Sequence, residues 1–312
     1  MTDARQAALE PFVFILGMHR SGTSCLAGCL ERCGLTLGAV RRSGRFNAKG
    51  YYELKAVERL HEQILGLNGG AWHAPPKRVV VHPYHQQALK EIADQLSVHR
   101  PSGLKDPRLV LLLDSWLELV APPIRLVGTF RHPLAVAQSL ARRNGIAEEE
   151  AIDLWLLYNR ALIRRHRAAP FPLVAFDLAD VDSYCRTVAA LALKFGLSPK
   201  LSHLRHFVSQ ALEHHPAAGL SLPPACRETY AYLQDHCLQP VEAHPSTSSG
   251  HHPSTSSGHH SAVSGSQQNA WSQWLDRGIG AVQEALFLAT HAGPAWLDKR
   301  RQQLRRWLIR FV

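Results

Sequence analysis

Residues 12–26 read Phe12-Val-Phe-Ile-Leu-Gly-Met-His-Arg-Ser-Gly-Thr-Ser-Cys-Leu26 and join an apolar run to a glycine-containing turn and a helical pattern. The run Phe12–Leu16 is β-branched and aromatic, as is typical of a buried strand, and Leu26 and Leu30 follow at helical spacing. A tight turn between a strand and a helix directs free backbone N–H groups and the positive end of the helix dipole at one point. The stretch therefore predicts an anion-binding loop at the end of a strand.

This loop differs from an ATP-binding loop at one position. Gly17 and Gly22 have the Walker spacing, but Thr23 stands where a P-loop NTPase has its lysine, and the cation is Arg20 instead. The loop can hold a phosphate, but it lacks the lysine that serves a β,γ-triphosphate with magnesium. We therefore expect it to bind a nucleotide without hydrolysing ATP.

A second strand-to-helix junction predicts a second phosphate site. Residues 125–130 form another strand pattern, and Pro133 fits the empty N–H position at a helix start. Arg131 thus leaves the carboxyl end of a strand, where open α/β sheets bind ligands, and Ser139 lies two turns along the helix. The guanidinium and the hydroxyl suit a phosphate. Together the two junctions predict that the protein binds a nucleotide with phosphates at two separate places. ATP is not such a nucleotide.

At these residues the chain resembles the sulfotransferases that use 3′-phosphoadenosine 5′-phosphosulfate (PAPS). In that family a Lys/Arg-Ser-Gly-Thr-Ser/Thr loop binds the 5′-phosphosulfate, and an arginine followed eight residues later by serine binds the 3′-phosphate. The resemblance assigns the first role to Arg20, Ser21, Gly22, Thr23 and Ser24, and the second to Arg131 with Ser139.

A bacterial branch of that family is more similar still, over about residues 12 to 197. Four of its motifs occur here in the same order: Gly17 to Ser24, Gly50-Tyr51-Tyr52-Glu53, Leu104-Lys105-Asp106-Pro107-Arg108 and Ser139-Leu140-Ala141-Arg142-Arg143. The Arg-Lys-Gly that closes the 3′-phosphate site in cytosolic members is missing, and Arg142, Arg143 or Arg277 are candidates to replace it. The adenine pocket stays unassigned.

The pattern along the chain predicts an α/β fold, a three-layer P-loop-like parallel sheet flanked by helices, with a helical C-terminal extension. Strands are expected at about 12–17, 101–105, 125–130 and 172–176. Helices are expected near 22–34, 53–67, 84–98, 108–121, 133–144, 148–168 and 181–196, and residues 201–240 look helical.

Three regions are predicted: a sulfotransferase domain over 1–240, a disordered linker over 241–268 and a basic amphipathic helical tail over 269–312. In the linker, His244-Pro-Ser-Thr-Ser-Ser-Gly-His251 is repeated unaltered as residues 252–259, a composition that cannot bury a core. Metal capture by its histidine pairs is the alternative. The tail either docks on the domain or contacts an anionic membrane or a protein partner.

The composition of the chain excludes fewer classes of function than the motifs do. The 312 residues carry a formal net charge of +10, which suits an anionic co-substrate, an acidic acceptor, nucleic acid or a membrane surface. Nucleic acid is disfavoured because cations are not interleaved with aromatic residues outside the tail. Six cysteines without a Cys-x-x-Cys pair, no signal-peptide pattern and no apolar run of membrane-spanning length predict a cytoplasmic protein with reduced thiols.

Sulfuryl transfer should resemble phosphoryl transfer, in which the protein positions the reactants and neutralises charge. Arg20 is assigned to the leaving-group oxygen. The resemblance to tyrosylprotein sulfotransferases, which carry a similar Lys-Asp-Pro, assigns Lys105 to the transferred sulfonate. Glu53 is the first candidate for the base, since a glutamate in this region often takes the proton in related enzymes. His73 is the second, because histidine is the base in eukaryotic cytosolic members.

The sequence thus predicts a sulfotransferase that moves a sulfuryl group from PAPS to a hydroxyl or amine, on a carbohydrate or other small metabolite, without a metal. Aromatic residues expected to offer this acceptor a flat surface are Tyr51, Tyr52, Trp72 and Trp155. Two alternatives remain: a non-catalytic nucleotide-binding module that recruits partners, and a P-loop nucleotide kinase.

Overall fold

The structure is a computed structural model that describes residues 10–43, 50–209 and 222–239. Within these residues the strands are β1 (Phe12–Leu16), β2 (Ser102–Lys105), β3 (Ile124–Phe130) and β4 (Leu173–Ala175). The helices are α1 (Thr23–Arg32), α2 (Lys55–Leu67), α3 (Pro83–Ser97), α4 (Leu109–Leu117), α5 (Pro133–Asn144), α6 (Glu148–Ala168), α7 (Val181–Lys194), α8 (Leu201–Ser209) and α9 (Pro224–Asp235).

The four strands form one parallel sheet in the order β2-β1-β3-β4. Phe12 of β1 pairs with Ser102 on one side and with Ile124 on the other, and Gly128 of β3 pairs with Leu173 of β4. Parallel neighbours need long crossover connections, and helices supply them here. The predicted α/β class with a parallel sheet flanked by helices is confirmed.

Both faces of the sheet are covered, as the fully apolar sequence of β1 requires. Phe12, Phe14 and Leu16 pack on the face that carries α2 to α6 and α9, whereas Val13 and Ile15 pack on the face that carries α1, α7 and α8. All five side chains are at most 1% exposed. The strand is therefore the centre of a three-layer core.

The strand order decides where the predicted site residues lie. Because all four strands are parallel, their carboxyl ends share one edge of the sheet, and β1 stands between β2 and β3. The loop after β1 consequently lies between Lys105, the last residue of β2, and Arg131, the first residue after β3. Lys105 and Arg131 lie 83 and 109 positions after Gly22, the last residue of the loop, and the strand order brings them to the same edge of the sheet.

Most predicted elements appear with ends shifted by one to four residues. Helix α4 is shorter than expected, since it ends at Leu117 and not at residue 121, and the helical stretch predicted over 201–240 is α8 and α9, with residues 210–221 outside the described range. The linker, the tail and Arg277 also lie outside the described residues. All six cysteines are free, and four of them are buried. Among the described helices, none combines the length and apolarity needed to cross a bilayer.

Candidate active site

The loop after β1 is held against β3 by close backbone contact. Gly17 has no room for a side chain, since an added Cβ would lie 2.5 Å from the carbonyl oxygen of Thr129. The Thr129 hydroxyl donates a 3.1 Å hydrogen bond to the Ser21 carbonyl oxygen, which fixes the far side of the loop. The loop is thus fastened at both ends to the strand that leads to Arg131.

Gly22 ends the loop and precedes α1 in the left-handed conformation, with φ of +85°. A Cβ on Gly22 would lie 2.2 Å from Cγ of Phe176, so the Phe176 ring packs directly on the loop backbone. Because Gly22 has no side chain to cap the helix, the first N–H groups of α1 stay oriented toward the loop. The strand, turn and helix predicted for this loop are therefore present, with an aromatic ring lying against the turn.

Arg20 and Ser139, predicted for two different phosphates, are in direct contact. Arg20 has a φ of +65°, and its Nε donates a 2.7 Å hydrogen bond to Oγ of Ser139 in α5. Ser139 is buried, at 5% exposed. The two strand-to-helix junctions thus share one continuous surface.

Four arginines gather at this surface. Burial, together with charge repulsion from Arg143 and Arg131, lowers the pKa of Arg20 to about 10. Burial also lowers the pKa of Arg131, with Arg142 acting in the same direction. Among the described residues Arg131 has no hydrogen-bond or ion-pair partner for its guanidinium, which lies 5.6 Å from the centroid of Phe176. Such an excess of crowded positive charge is what an anion site requires.

Lys105 lies on the other side of the loop, at 2% exposed. Its Nζ lies 2.7 Å from Oε1 of Glu53, 2.7 Å from the carbonyl oxygen of Tyr51 and 3.1 Å from Oγ of Ser24. Ser24 in turn donates to the Tyr51 carbonyl oxygen at 2.9 Å. Lys105, Glu53 and the first turn of α1 therefore form one hydrogen-bonded group.

The two candidates for the base differ in position. Glu53 is 7% exposed, and its second oxygen lies 3.4 Å from Nη2 of Arg41, so its carboxylate is held between two cations. His73 is exposed, and its ring contacts that of Trp72 with centroids 5.3 Å apart. Among the described residues no hydrogen bond or ion pair connects His73 to the Lys105 group. Glu53 is the candidate that the structure brings into contact with Lys105.

His19, a residue of the loop itself, is buried beside Trp72. It is 7% exposed, its ring centroid is 4.4 Å from that of Trp72, and its Nε2 has no partner among the described residues. Burial lowers its pKa well below the ordinary value, and the Arg108 and Lys105 charges act in the same direction. Its loop position was the only sequence signal available, and that signal does not separate packing from function.

Two of the four aromatic residues expected to face an acceptor are inside the protein. Tyr52 is 2% exposed and packs edge-on against Phe207, and Trp155 is fully buried with its Nε1 bonded to the carbonyl oxygen of Arg131. Those two expectations are wrong. Tyr51 and Trp72 are partly exposed and can offer a ring face.

Arg108, the last residue of the Leu104–Arg108 motif, pairs with Asp106 and Glu62. Its Nη1 lies 3.0 Å from Oδ2 of Asp106, which is fully buried. Among the described residues, no group of three or more histidine, cysteine, aspartate or glutamate side chains is arranged to hold a metal ion.

Comparisons with known proteins find similar structures but no matching family model or curated sequence. The sulfotransferase domain of the Synechococcus PCC 7002 olefin synthase is 15% identical, with 72% of this chain and 95% of that chain covered and a TM-score of 0.43. Sulfotransferase STF1 of Mycobacterium tuberculosis H37Rv is 17% identical, with 74% and 79% covered and a TM-score of 0.37. Both scores are low, so the fold described above rests on the strand pairing of this chain.

Proposed function

We propose that this chain is a PAPS-dependent sulfotransferase that transfers a sulfuryl group to a hydroxyl or amine of a small acceptor, such as a carbohydrate. The observation that carries the proposal is the 2.7 Å bond from Arg20 to Ser139, which unites the two predicted phosphate positions on one arginine-rich surface. A donor with phosphate at both its 3′ and 5′ ends matches two anion positions side by side.

The donor side is assigned from charge and shape. Arg20 and the backbone amides of residues 21–24 hold the 5′-phosphosulfate, and Arg131 with Ser139 holds the 3′-phosphate. Phe176 lies between them, against Gly22 and below the Arg131 guanidinium, and offers an apolar face to the nucleoside. Arg143 is close enough to lower the pKa of Arg20 and replaces the missing Arg-Lys-Gly as an additional cation.

The acceptor side supplies the proton transfer and the second cation. The acceptor oxygen forms a bond to sulfur while the bond from sulfur to the bridging oxygen breaks, and adenosine 3′,5′-bisphosphate leaves. Arg20 neutralises the leaving oxygen, and Lys105 neutralises the sulfonate oxygens, as a loose transition state requires. The acceptor proton passes to the Glu53 carboxylate, 2.7 Å from Lys105 Nζ, with His73 as the second candidate.

The direct test is calorimetry of the purified protein with adenosine 3′,5′-bisphosphate and with ADP. The bisphosphate should bind more tightly, and Arg131→Ala should weaken it by about 10-fold or more, since hydrogen bonds to charged groups contribute about 1.5–3 kcal/mol. Arg125→Ala is the matched control, because Arg125 is an exposed arginine near the opposite end of the same strand. Equal affinity for the two nucleotides would remove the argument for a 3′-phosphate site.

Transfer is tested separately, with PAPS and a panel of hydroxyl and amine acceptors. Sulfated product is expected without added metal. Tight binding of the bisphosphate with no product from any acceptor would instead favour a non-catalytic nucleotide-binding module. Turnover of ATP with magnesium would favour a nucleotide kinase, which the threonine at position 23 disfavours.

A further inference from the structure

A buried chain of three side chains lies directly behind Lys105 and takes no part in the proposed transfer. We call the hydrogen-bonded series Trp116, His61 and Asp106 the rear triad. Nε1 of Trp116 lies 2.9 Å from Nε2 of His61, and Nδ1 of His61 lies 3.2 Å from Oδ1 of Asp106. His61, Asp106 and Trp116 are each fully buried.

The indole fixes the protonation of the imidazole. An indole N–H can only donate, so Nε2 of His61 accepts the bond from Trp116 and carries no proton. The ring proton must therefore be on Nδ1, which donates to the Asp106 carboxylate. Trp116 thus selects the neutral tautomer that can bind Asp106.

Asp106 is held as a carboxylate in the interior. Its Oδ1 also accepts a 2.8 Å hydrogen bond from the backbone N–H of Arg108. Burial opposes ionisation, but the Arg108 guanidinium and the His61 hydrogen bond hold the pKa of Asp106 well below its usual range. A fixed negative charge therefore sits immediately after Lys105 in the chain.

The triad connects the two segments that carry the proposed transfer groups. His61 belongs to α2, which begins two residues after Glu53, whereas Asp106 directly follows Lys105 at the end of β2. The His61–Asp106 bond therefore joins the segment of Glu53 to the strand of Lys105. The Lys105–Glu53 contact of 2.7 Å joins the same two segments at the surface of the loop.

We infer that His61 is a positioning residue, whose Nδ1–H bond to Asp106 sets the separation between Lys105 Nζ and the Glu53 carboxylate. The inference rests on the proposed function, in which these two groups act on the sulfonate and the acceptor. Neither His61 nor Trp116 contacts the reacting atoms; each acts through Asp106. Misplacement of reacting groups by about 1 Å costs up to about 100-fold in rate, so a tie of this kind has a measurable effect.

Two substitutions of His61 separate its two bonds. Asparagine carries an amide nitrogen near the place of Nδ1 and retains the donor to Asp106. Glutamine reaches the place of Nε2 and retains the acceptor for Trp116, but it loses the donor to Asp106. His85→Gln is the matched control, because His85 is also buried, at 5% exposed, and lies in α3 away from the triad.

We expect His61→Gln to lower kcat for sulfuryl transfer by about 10-fold or more, whereas His61→Asn and His85→Gln stay within about 3-fold of wild type. The Kd for adenosine 3′,5′-bisphosphate should stay within about 3-fold in all three variants, since the donor site is built from other residues. Equal loss of thermal stability in His61→Asn and His61→Gln with kcat retained would overturn the inference, because the triad would then be structural only.

A crystal structure of the His61→Gln variant gives a readout that does not need activity. We expect the Lys105 Nζ to Glu53 Oε1 distance to lengthen there and to stay near 2.7 Å in His61→Asn. An unchanged distance in both would overturn the positioning role even if the protein proves to be a binding module and no variant transfers sulfate. If His61→Gln does not fold, Trp116→Phe replaces it. Without the indole donor the His61 proton is no longer held on Nδ1, so the Lys105–Glu53 distance should lengthen in the same way. An unchanged distance in Trp116→Phe would also overturn the inference.

Discussion

Arg20 Nε and Ser139 Oγ are 2.7 Å apart although 119 residues separate them in the sequence. The bond places the cation of the first loop against the helix that follows the third strand. Burial and charge repulsion from Arg143 and Arg131 lower the pKa of Arg20 to about 10, so positive charges are crowded at this surface. On the proposed function, a multiply charged anion bound here would relieve that repulsion, so we expect the site to prefer nucleotides with more than one phosphate position.

The Ser139 hydroxyl should contribute measurably to nucleotide affinity. We expect Ser139→Ala to weaken adenosine 3′,5′-bisphosphate by about 5- to 20-fold, because it removes one hydrogen bond to a charged group and frees the Arg20 side chain. Affinity for ADP, which has no 3′-phosphate, should change less. Calorimetry of both ligands with both proteins measures this, and an equal loss for the two nucleotides would show that Ser139 acts only by holding Arg20.

Removal of Lys105 should separate binding from turnover. Lys105→Ala deletes a buried cation that contacts Glu53 and Ser24 and lies beside the loop, on the side away from Arg131. We expect bisphosphate affinity within about 10-fold of wild type and a kcat lowered by about 100-fold or more, since a preorganised charge acts mainly on the transition state. Lys105→Arg keeps the charge and is the control. A large loss of affinity in Lys105→Ala would make the residue a ligand-holding group.

The base is identified by comparing Glu53→Gln with His73→Ala. Glutamine keeps the shape of Glu53 and can still accept a hydrogen bond from Lys105, so its effect reports on proton transfer. We expect kcat to fall by about 100- to 10,000-fold in Glu53→Gln and to stay within about 3-fold in His73→Ala. The pH dependence of kcat in both variants provides the check. The reverse pattern, with activity lost only in His73→Ala, would transfer the role to the histidine.

The sequence could predict what depends on local patterns. The strand and turn of residues 12–22 are local, and the parallel class follows from short apolar strands separated by helices. The contact of Lys105 with Glu53 depends on how the segment that precedes α2 lies against the end of β2, and no periodicity encodes that arrangement. The motif matches assigned both residues to the site, but they did not predict that the two side chains are in contact.

Burial of individual side chains was harder to predict than the position of elements. Tyr52 belongs to a motif and Trp155 to a long helix, yet both side chains are buried, Tyr52 against Phe207 of α8 and Trp155 against Tyr230 of α9. His61 belongs to no motif, and the positioning role that we propose for it follows from partners 45 and 55 residues away in sequence. Such long-range pairs of buried polar groups are invisible to a single sequence.

The packing of Phe176 on the loop predicts a large cost for a side chain at Gly22. Gly22→Ala forces alanine to a φ of +85° and places its Cβ against the ring. Gly34→Ala is the control, since Gly34 has a φ of +105° with no atom within 4 Å of an added Cβ. Both variants carry backbone strain of about 1–2 kcal/mol, and overpacking adds about 1–3 kcal/mol at Gly22 only. Urea unfolding of both measures the difference, and equal losses would contradict the contact with Phe176.

His19 should make the stability of the protein fall in mild acid. Its pKa is lowered in the folded state by burial and by the Arg108 charge, whereas in the unfolded chain it titrates near about 6.5. Below that pH the unfolded chain binds a proton at His19 and the folded chain does not. The contribution is therefore present above about pH 6.5 and is lost as the pH falls, by at most about 1.4 kcal/mol per pH unit.

The test compares wild type with His19→Gln by urea unfolding at several values between about pH 7.5 and about pH 5. The free energy of unfolding should fall more steeply with decreasing pH in wild type than in His19→Gln. The stability of the variant relative to wild type should therefore rise as the pH falls. Other histidines whose pKa is lowered by burial, His85, His132 and His166, are present in both proteins and cancel in the difference. Parallel curves would mean that His19 takes up its proton in the folded protein as readily as in the unfolded chain.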